Sequence, residues 1–161
     1  MVKPMLAGTK TQTRRLASSP IAKAVPGQRL WVREGCTTDE SVLEKVIAYE
    51  ADENTQWPDS NVEFVRVRDA LHMPRWASRL TLVVKSVRQE LLQEISEADI
   101  NAEGVSSRAE FAALWDGLYQ SGSWDSNPLV AVIEFSAFKE NIDRLTHLGF
   151  TGQLLQKASS P

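Results

Sequence analysis

Lys10 and Thr13 are the first side chains along this chain that can do chemistry together. They lie three residues apart in Gly8-Thr9-Lys10-Thr11-Gln12-Thr13-Arg14-Arg15. That spacing places them on one side of a helical turn or a compact loop. A threonine hydroxyl is a weak nucleophile until a base takes its proton, and a nearby lysine is one group that can do so. The stretch has three threonines and three cations, with no acid and no large apolar side chain, so none of it asks for a place in a core. The plainer alternative is a helix end at Gly8 followed by a solvated basic loop.

Charge is segregated along the chain. The formal net charge is only −3, yet residues 1–33 hold seven Lys/Arg and no acid. Residues 34–63 hold nine acids, with Lys45 as the one base. Residues 64–89 are again basic, with Asp69 as the one acid, and residues 90–143 carry eleven acids against Arg108 and Lys139. If folding merges the two basic segments, they form a face suited to a phosphate-bearing partner. If each cation instead meets an acid from the neighbouring segment, no such face forms.

Other chemistries find little support. Cys36 is the only cysteine, and the two histidines, His72 and His147, are far apart. No zinc constellation follows from that set, and neither a metal nor a cofactor is expected. No apolar run reaches the roughly 18 residues of a membrane span. The expectation is therefore a cytoplasmic protein without a membrane partner. At 161 residues, one domain or one domain with a tail is expected.

The elements that must position these residues follow from pattern. Residues 1–7 suit a helical turn or two that Gly8 ends. Residues 16–26 read as a loop. Strands are expected over Arg29–Glu34, Val46–Tyr49, Leu80–Val87 and Leu129–Phe135, with a short strand or extended link over Val62–Arg68. Asp52–Asn61 reads as a loop, with Trp57 a lid over the core edge. Ser96-Glu97-Ala98-Asp99 has capping-box spacing and opens a helix to about Glu103, stopped by Gly104. Ser107-Arg108-Ala109-Glu110 opens a second helix, with Phe111, Leu114, Trp115 and Leu118 at core spacing. A last helix is expected near Glu140–Leu148, then a frayed tail. The class is α+β, a small, mostly antiparallel sheet or barrel with two or three flanking helices. Leu71–Arg79 shows no clean period. Its Arg75, Trp76 and Arg79 are the residue types of a nucleic-acid surface, through phosphate contacts and stacking.

Taken together, five segments resemble the ASCH domain family, which has a PUA-like β-barrel. They are Leu6–Arg15, Pro26–Glu34, His72–Arg79, Ile95–Asp99, and Trp124–Pro128 ahead of Val132–Phe135. Their order and spacing look like the phage and prophage branch of that family. The resemblance implies a domain over residues 1–136, with an insert at about 35–70, leaving 137–161 as a C-terminal helix and tail. It also implies a cleft for RNA or a modified nucleoside. One branch of small bacterial members removes the acetyl group from N4-acetylcytidine, with a lysine, a threonine three residues on and a distant glutamate. Carried over, these fall on Lys10, Thr13 and Glu103.

In that amidohydrolase reading Thr13 attacks, Lys10 is its base and Glu103 protonates the leaving amine. Arg14 and Arg15 lower the lysine. Arg15, Arg75 and Arg79 hold a phosphate or a carbonyl oxygen, and Trp76 stacks on a base. A metal-independent ribonuclease would use the cations to stabilise the phosphorane. A non-catalytic nucleic-acid-binding module would need only the cations and the aromatic platform.

Overall fold

The computed structural model describes residues 2–43, 45–53 and 63–145. His147, Trp57 and the tail from residue 146 lie outside the described residues, as do most of the loop expected at 52–61 and the end of the helix expected at 140–148.

The fold is α+β, built on antiparallel sheets, one of them curled into half a barrel. Helix α1 (Val2–Ala7) is followed by strand β1 (Gln12–Leu16) and β2 (Arg29–Trp31). The insert supplies β3 (Cys36–Asp39), β4 (Lys45–Tyr49) and β5 (Val65–Arg68). Then come β6 (Thr81–Leu91), α2 (Glu97–Ala102), α3 (Arg108–Leu118) and β7 (Leu129–Phe138). The first sheet has the order β1-β7-β6-β2 and the second, made wholly by the insert, β4-β3-β5.

Strand β7 is the hub. It pairs with β1, Gln12 opposite Glu134 through Leu16 opposite Val130, and with β6 along nearly its whole length. Its alternating side chains feed both faces. Val130 and Val132 pack under α2 and α3 with Ile100, Phe111 and Trp115. Phe135 meets Met5, Leu80 and Leu82, and Ile133 meets Ala24 and Val84. Burial on both sides is why this strand reads as a continuous apolar run. Each such side chain stabilises the fold by about 1.5–3 kcal/mol relative to exposure.

Several expectations are corrected. The motif around Lys10 is not a loop throughout, because residues 12–16 form an edge strand. The strand expected over 29–34 stops at Trp31, and Cys36–Asp39 is a strand that apolar patterning does not reveal. Leu118, the last residue of α3, is 49% exposed and lies outside the cluster that buries Phe111 and Trp115. Of the helix expected near Glu140–Leu148, residues 140–144 form a bend and turns, and the part beyond Leu145 lies outside the described residues. Both helix starts expected from capping are present: Ser96 accepts from Asp99 N and Ser107 from Glu110 N.

Candidate functional site

Three elements meet at Lys10. Its own backbone N–H and that of Thr9 donate to Pro4 O in α1, at 3.1 and 2.9 Å. Thr11 N donates to Ala102 O of α2 at 2.8 Å, while Thr11 O accepts from Phe135 N of β7 at 2.9 Å. The loop 8–11 is thus stitched to α1, α2 and β7 at once. Gly104, just past α2, has φ +78, and a Cβ there would meet Pro4 Cβ at 2.9 Å and Lys10 Cβ at 3.1 Å. Only glycine permits both that backbone and that approach.

The result is a buried pair. Lys10 Nζ donates to Glu103 Oε2 at 2.5 Å and to Glu103 O at 2.7 Å, across 93 residues of sequence. The two side chains are 2% and 3% exposed. The other carboxylate oxygen, Oε1, accepts from Arg14 Nη1 at 3.2 Å. Arg14 is fully buried, and its guanidinium also reaches Glu90 Oε1 at 2.6 Å, Asp99 Oδ2 at 3.0 Å and Gln12 Oε1 at 3.3 Å. It lies 5.9 Å from the centre of the Phe111 ring. Arg88 extends the network to Glu90, Asp99 and Glu134.

Burial pushes the Lys10 ammonium below its ordinary range, opposed by the charge and hydrogen bond of Glu103 and assisted by Arg15 and Arg14. A lysine moved in that direction is a better base near neutrality. For Asp99, burial alone would raise the carboxyl. Hydrogen bonds from Gln12 and Ser96, the Arg14 charge and Arg88 outweigh it and bring the group down to about 2. A depressed carboxyl stabilises the fold above its unfolded value and loses that contribution as pH falls through the folded one. After allowance for solvent screening this is worth about 1–2 kcal/mol. Asp99→Asn is therefore expected to lower the urea midpoint at pH 7, with the gap to the parent closing as pH falls from 4 toward 2. A gap independent of pH would show that the carboxylate charge is not what matters.

A cavity of about 480 Å³ opens over the pair, lined also by Pro4, Gly104, Val105, Glu110 and Leu114. Thr13 does not line it. By strand alternation Thr13 and Arg15 leave β1 on the face opposite Gln12 and Arg14. The Thr13 hydroxyl accepts from Arg15 Nη1 at 2.9 Å, and its side chain is buried beside Ile133, its partner in the ladder.

The other expected ligand residues sit elsewhere. Arg79 is bound to Glu34 at 2.8 Å and Asp52 at 2.5 Å, and stacks on Tyr49. Arg75 pairs with Asp143 at the surface. Trp76 and Arg79 line a second cavity that shares no lining residue with the first. Much of the segregated charge is thus spent on acid–base pairing between segments rather than on one basic face. Gln12, Glu90 and Arg88 are the members of the Lys10 network that sequence reasoning missed. Glu90 and Arg88 reach it only through the β1–β7–β6 register, and Gln12 by lying two residues from Arg14 on the same face of β1. Among the described residues no group of three or more His, Cys, Asp or Glu is placed to hold a metal ion. None of the described helices is long and apolar enough to cross a membrane.

Comparison with known proteins gave no match, whether to a family, to a curated protein or to a solved structure.

Proposed function

We propose that this protein is a hydrolase of PUA-like, ASCH type that removes an acyl group from a modified nucleoside, N4-acetylcytidine being the substrate its motifs imply. The observation that carries the reading is the Lys10–Glu103 contact at 2.5 Å, buried at the wall of a cavity. Desolvated ion pairs of this kind add little to stability, and perturbed titratable groups in a cleft mark functional sites. The resemblance points to the same two residues, 93 positions apart in the chain.

In the proposed reaction an oxygen nucleophile adds to the acyl carbon and its proton passes to neutral Lys10. The carbon–nitrogen bond then breaks, and the departing exocyclic nitrogen takes a proton back from the Lys10–Glu103 pair; with water as nucleophile the acyl group leaves as the carboxylic acid, and with a threonine it stays as an ester that a water must then hydrolyse. Arg14 holds the second oxygen of Glu103 and so fixes the carboxylate. The resemblance makes Thr13 the nucleophile. In the folded protein that hydroxyl lies on the opposite face of β1 and accepts from Arg15, so serving would need β1 itself to move; a water molecule in the cavity is the oxygen that can meet Lys10 without such a change.

The test is to incubate the protein with N4-acetylcytidine and follow cytidine release by chromatography. Turnover that Thr13→Ala abolishes assigns the threonine; turnover that survives it assigns water. RNA cleavage without cytidine release would replace this reading with the ribonuclease. A second reading, a non-catalytic protein in which this buried cluster is structural, is favoured by one observation: Lys10 and Arg14 are fully engaged by Glu103, Glu90 and Asp99. It predicts neither activity.

A further inference from the structure

We infer that the cavity over Lys10 also takes a second class of substrate, the N-acylated diamines, with the amide at the Lys10–Glu103 pair and a distal ammonium on Glu110. The chemistry rests on the hydrolase reading; the choice of ligand rests on Glu110, a residue that reading leaves unused.

The lining decides the charge of the ligand. Its titratable side chains are Lys10, Glu103 and Glu110. Lys10 and Glu103 answer each other in the buried pair. Glu110 has no such answer: among the described residues no cation pairs with its carboxylate. Its Oε2 accepts from Ser106 N at 2.8 Å, which fixes the side chain at the start of α3, and its Oε1 has no donor. The N-terminus of α3 offsets part of this negative charge, but the C-terminus of α2, at Glu103, brings its own negative end to the same cavity. When Lys10 is neutral, as the proposed reaction requires, the charges left in the lining are carboxylates alone. A phosphate or a carboxylate therefore meets repulsion here, and a cation is drawn in.

Burial and polarity select the rest. Glu110 is exposed, whereas the Lys10 and Glu103 side chains are 2% and 3% exposed. Between these ends the wall is apolar, made by Pro4, Val105, Ala113 and Leu114. An alkyl stem laid along an apolar wall with its ammonium in water is the usual posture of a long amine. The amide thus goes inward and the ammonium stays at the mouth, on Glu110 Oε1. N4-acetylcytidine offers that oxygen only a hydroxyl, and a diamine offers it a charge-assisted hydrogen bond. One water is consumed. Its oxygen adds to the acyl carbon and its proton passes to Lys10. The carbon–nitrogen bond breaks, the nitrogen takes a proton from the Lys10–Glu103 pair, and the carboxylic acid and the diamine leave.

The probes are three amides of similar length, N-acetylputrescine, N-pentylacetamide and 4-acetamidobutanoate, which end in an ammonium, a methyl and a carboxylate. Binding is followed by NMR titration and turnover by acetate release. The parent is expected to bind N-acetylputrescine about threefold more tightly than N-pentylacetamide, the scale of a partly exposed ion pair. It should bind 4-acetamidobutanoate most weakly, and release acetate from N-acetylputrescine. In Glu110→Gln the three affinities are expected to converge. Glutamine keeps an oxygen for Ser106 N, so the start of α3 is held as before. No binding of N-acetylputrescine, equal affinities in the parent, or a preference that survives in Glu110→Gln overturns the assignment of Glu110. Acetate release from N4-acetylcytidine but not from N-acetylputrescine overturns this substrate class and leaves the hydrolase reading standing. The charge preference without acetate release from either compound overturns the hydrolase reading and the substrate role together, while Glu110 stands as a cation anchor.

Discussion

Arg14→Met is expected to destabilise the fold by about 3–5 kcal/mol, the usual consequence of removing one partner from a buried charge network. Arg14 is the point where Glu103, Glu90 and Asp99 converge, and its side chain is 0% exposed. Methionine fills a comparable apolar length, so the loss reports charge rather than a cavity. Lys10 still holds Glu103 and Arg88 still holds Asp99 and Glu90, yet three carboxylates would face one another with the central cation gone. The loss is therefore expected to be largest at neutral pH and to shrink as pH falls toward 2, where Asp99, which the Arg14 charge helps hold at about 2, takes a proton. Urea unfolding at pH 7 and at a pH near 2 measures both. A loss under about 1 kcal/mol at pH 7 would mean that the network is solvated after all.

Lys10→Met is expected to act on turnover far more than on stability. Arg14 continues to hold Glu103 Oε1, so the carboxylate is not left alone. Losing a general base costs about 10²–10⁴ in rate, and cytidine release from N4-acetylcytidine should fall by that factor. The parent's pH profile carries the same signature. A lysine acts as a base only when neutral, and burial sets Lys10 below its ordinary 10.5. The rate should then rise with pH and level off at a pH below 10.5, and the rise should vanish in Lys10→Met. A variant with parental turnover would remove Lys10 from the chemistry.

Much of the scaffold was legible in the sequence where burial is apolar and local. The helix starts at Ser96 and Ser107 were readable because a cap is a contact between residues three apart. Leu80–Val87 and Leu129–Phe135 were readable because strands buried on both faces must be apolar. Strand β1 was not, for the opposite reason. The inward face of Gln12 and Arg14 is buried against carboxylates instead of hydrocarbon, so it reads as solvated. Strand β3 hides likewise, because its buried Thr37 and Thr38 are polar. The Lys10–Glu103 pair came from motif likeness, and no local pattern could have joined residues so far apart. Thr13 shows the limit of spacing: three residues share a side in a helix, but a strand sends alternate residues to opposite faces.

The register of β1 on β7 also sets an order of events on the ribosome. Gln12 to Leu16 are made early, but their ladder partners Val130 to Glu134 emerge more than a hundred residues later. Until then Arg14 and Lys10 have no burial to enter, and the edge they carry stays charged and solvated. Charge on a waiting strand discourages it from pairing with a neighbouring chain. The same cations that later join the buried network beside the cavity thus serve first as a guard on an unfinished sheet, and the site closes only when β7 docks.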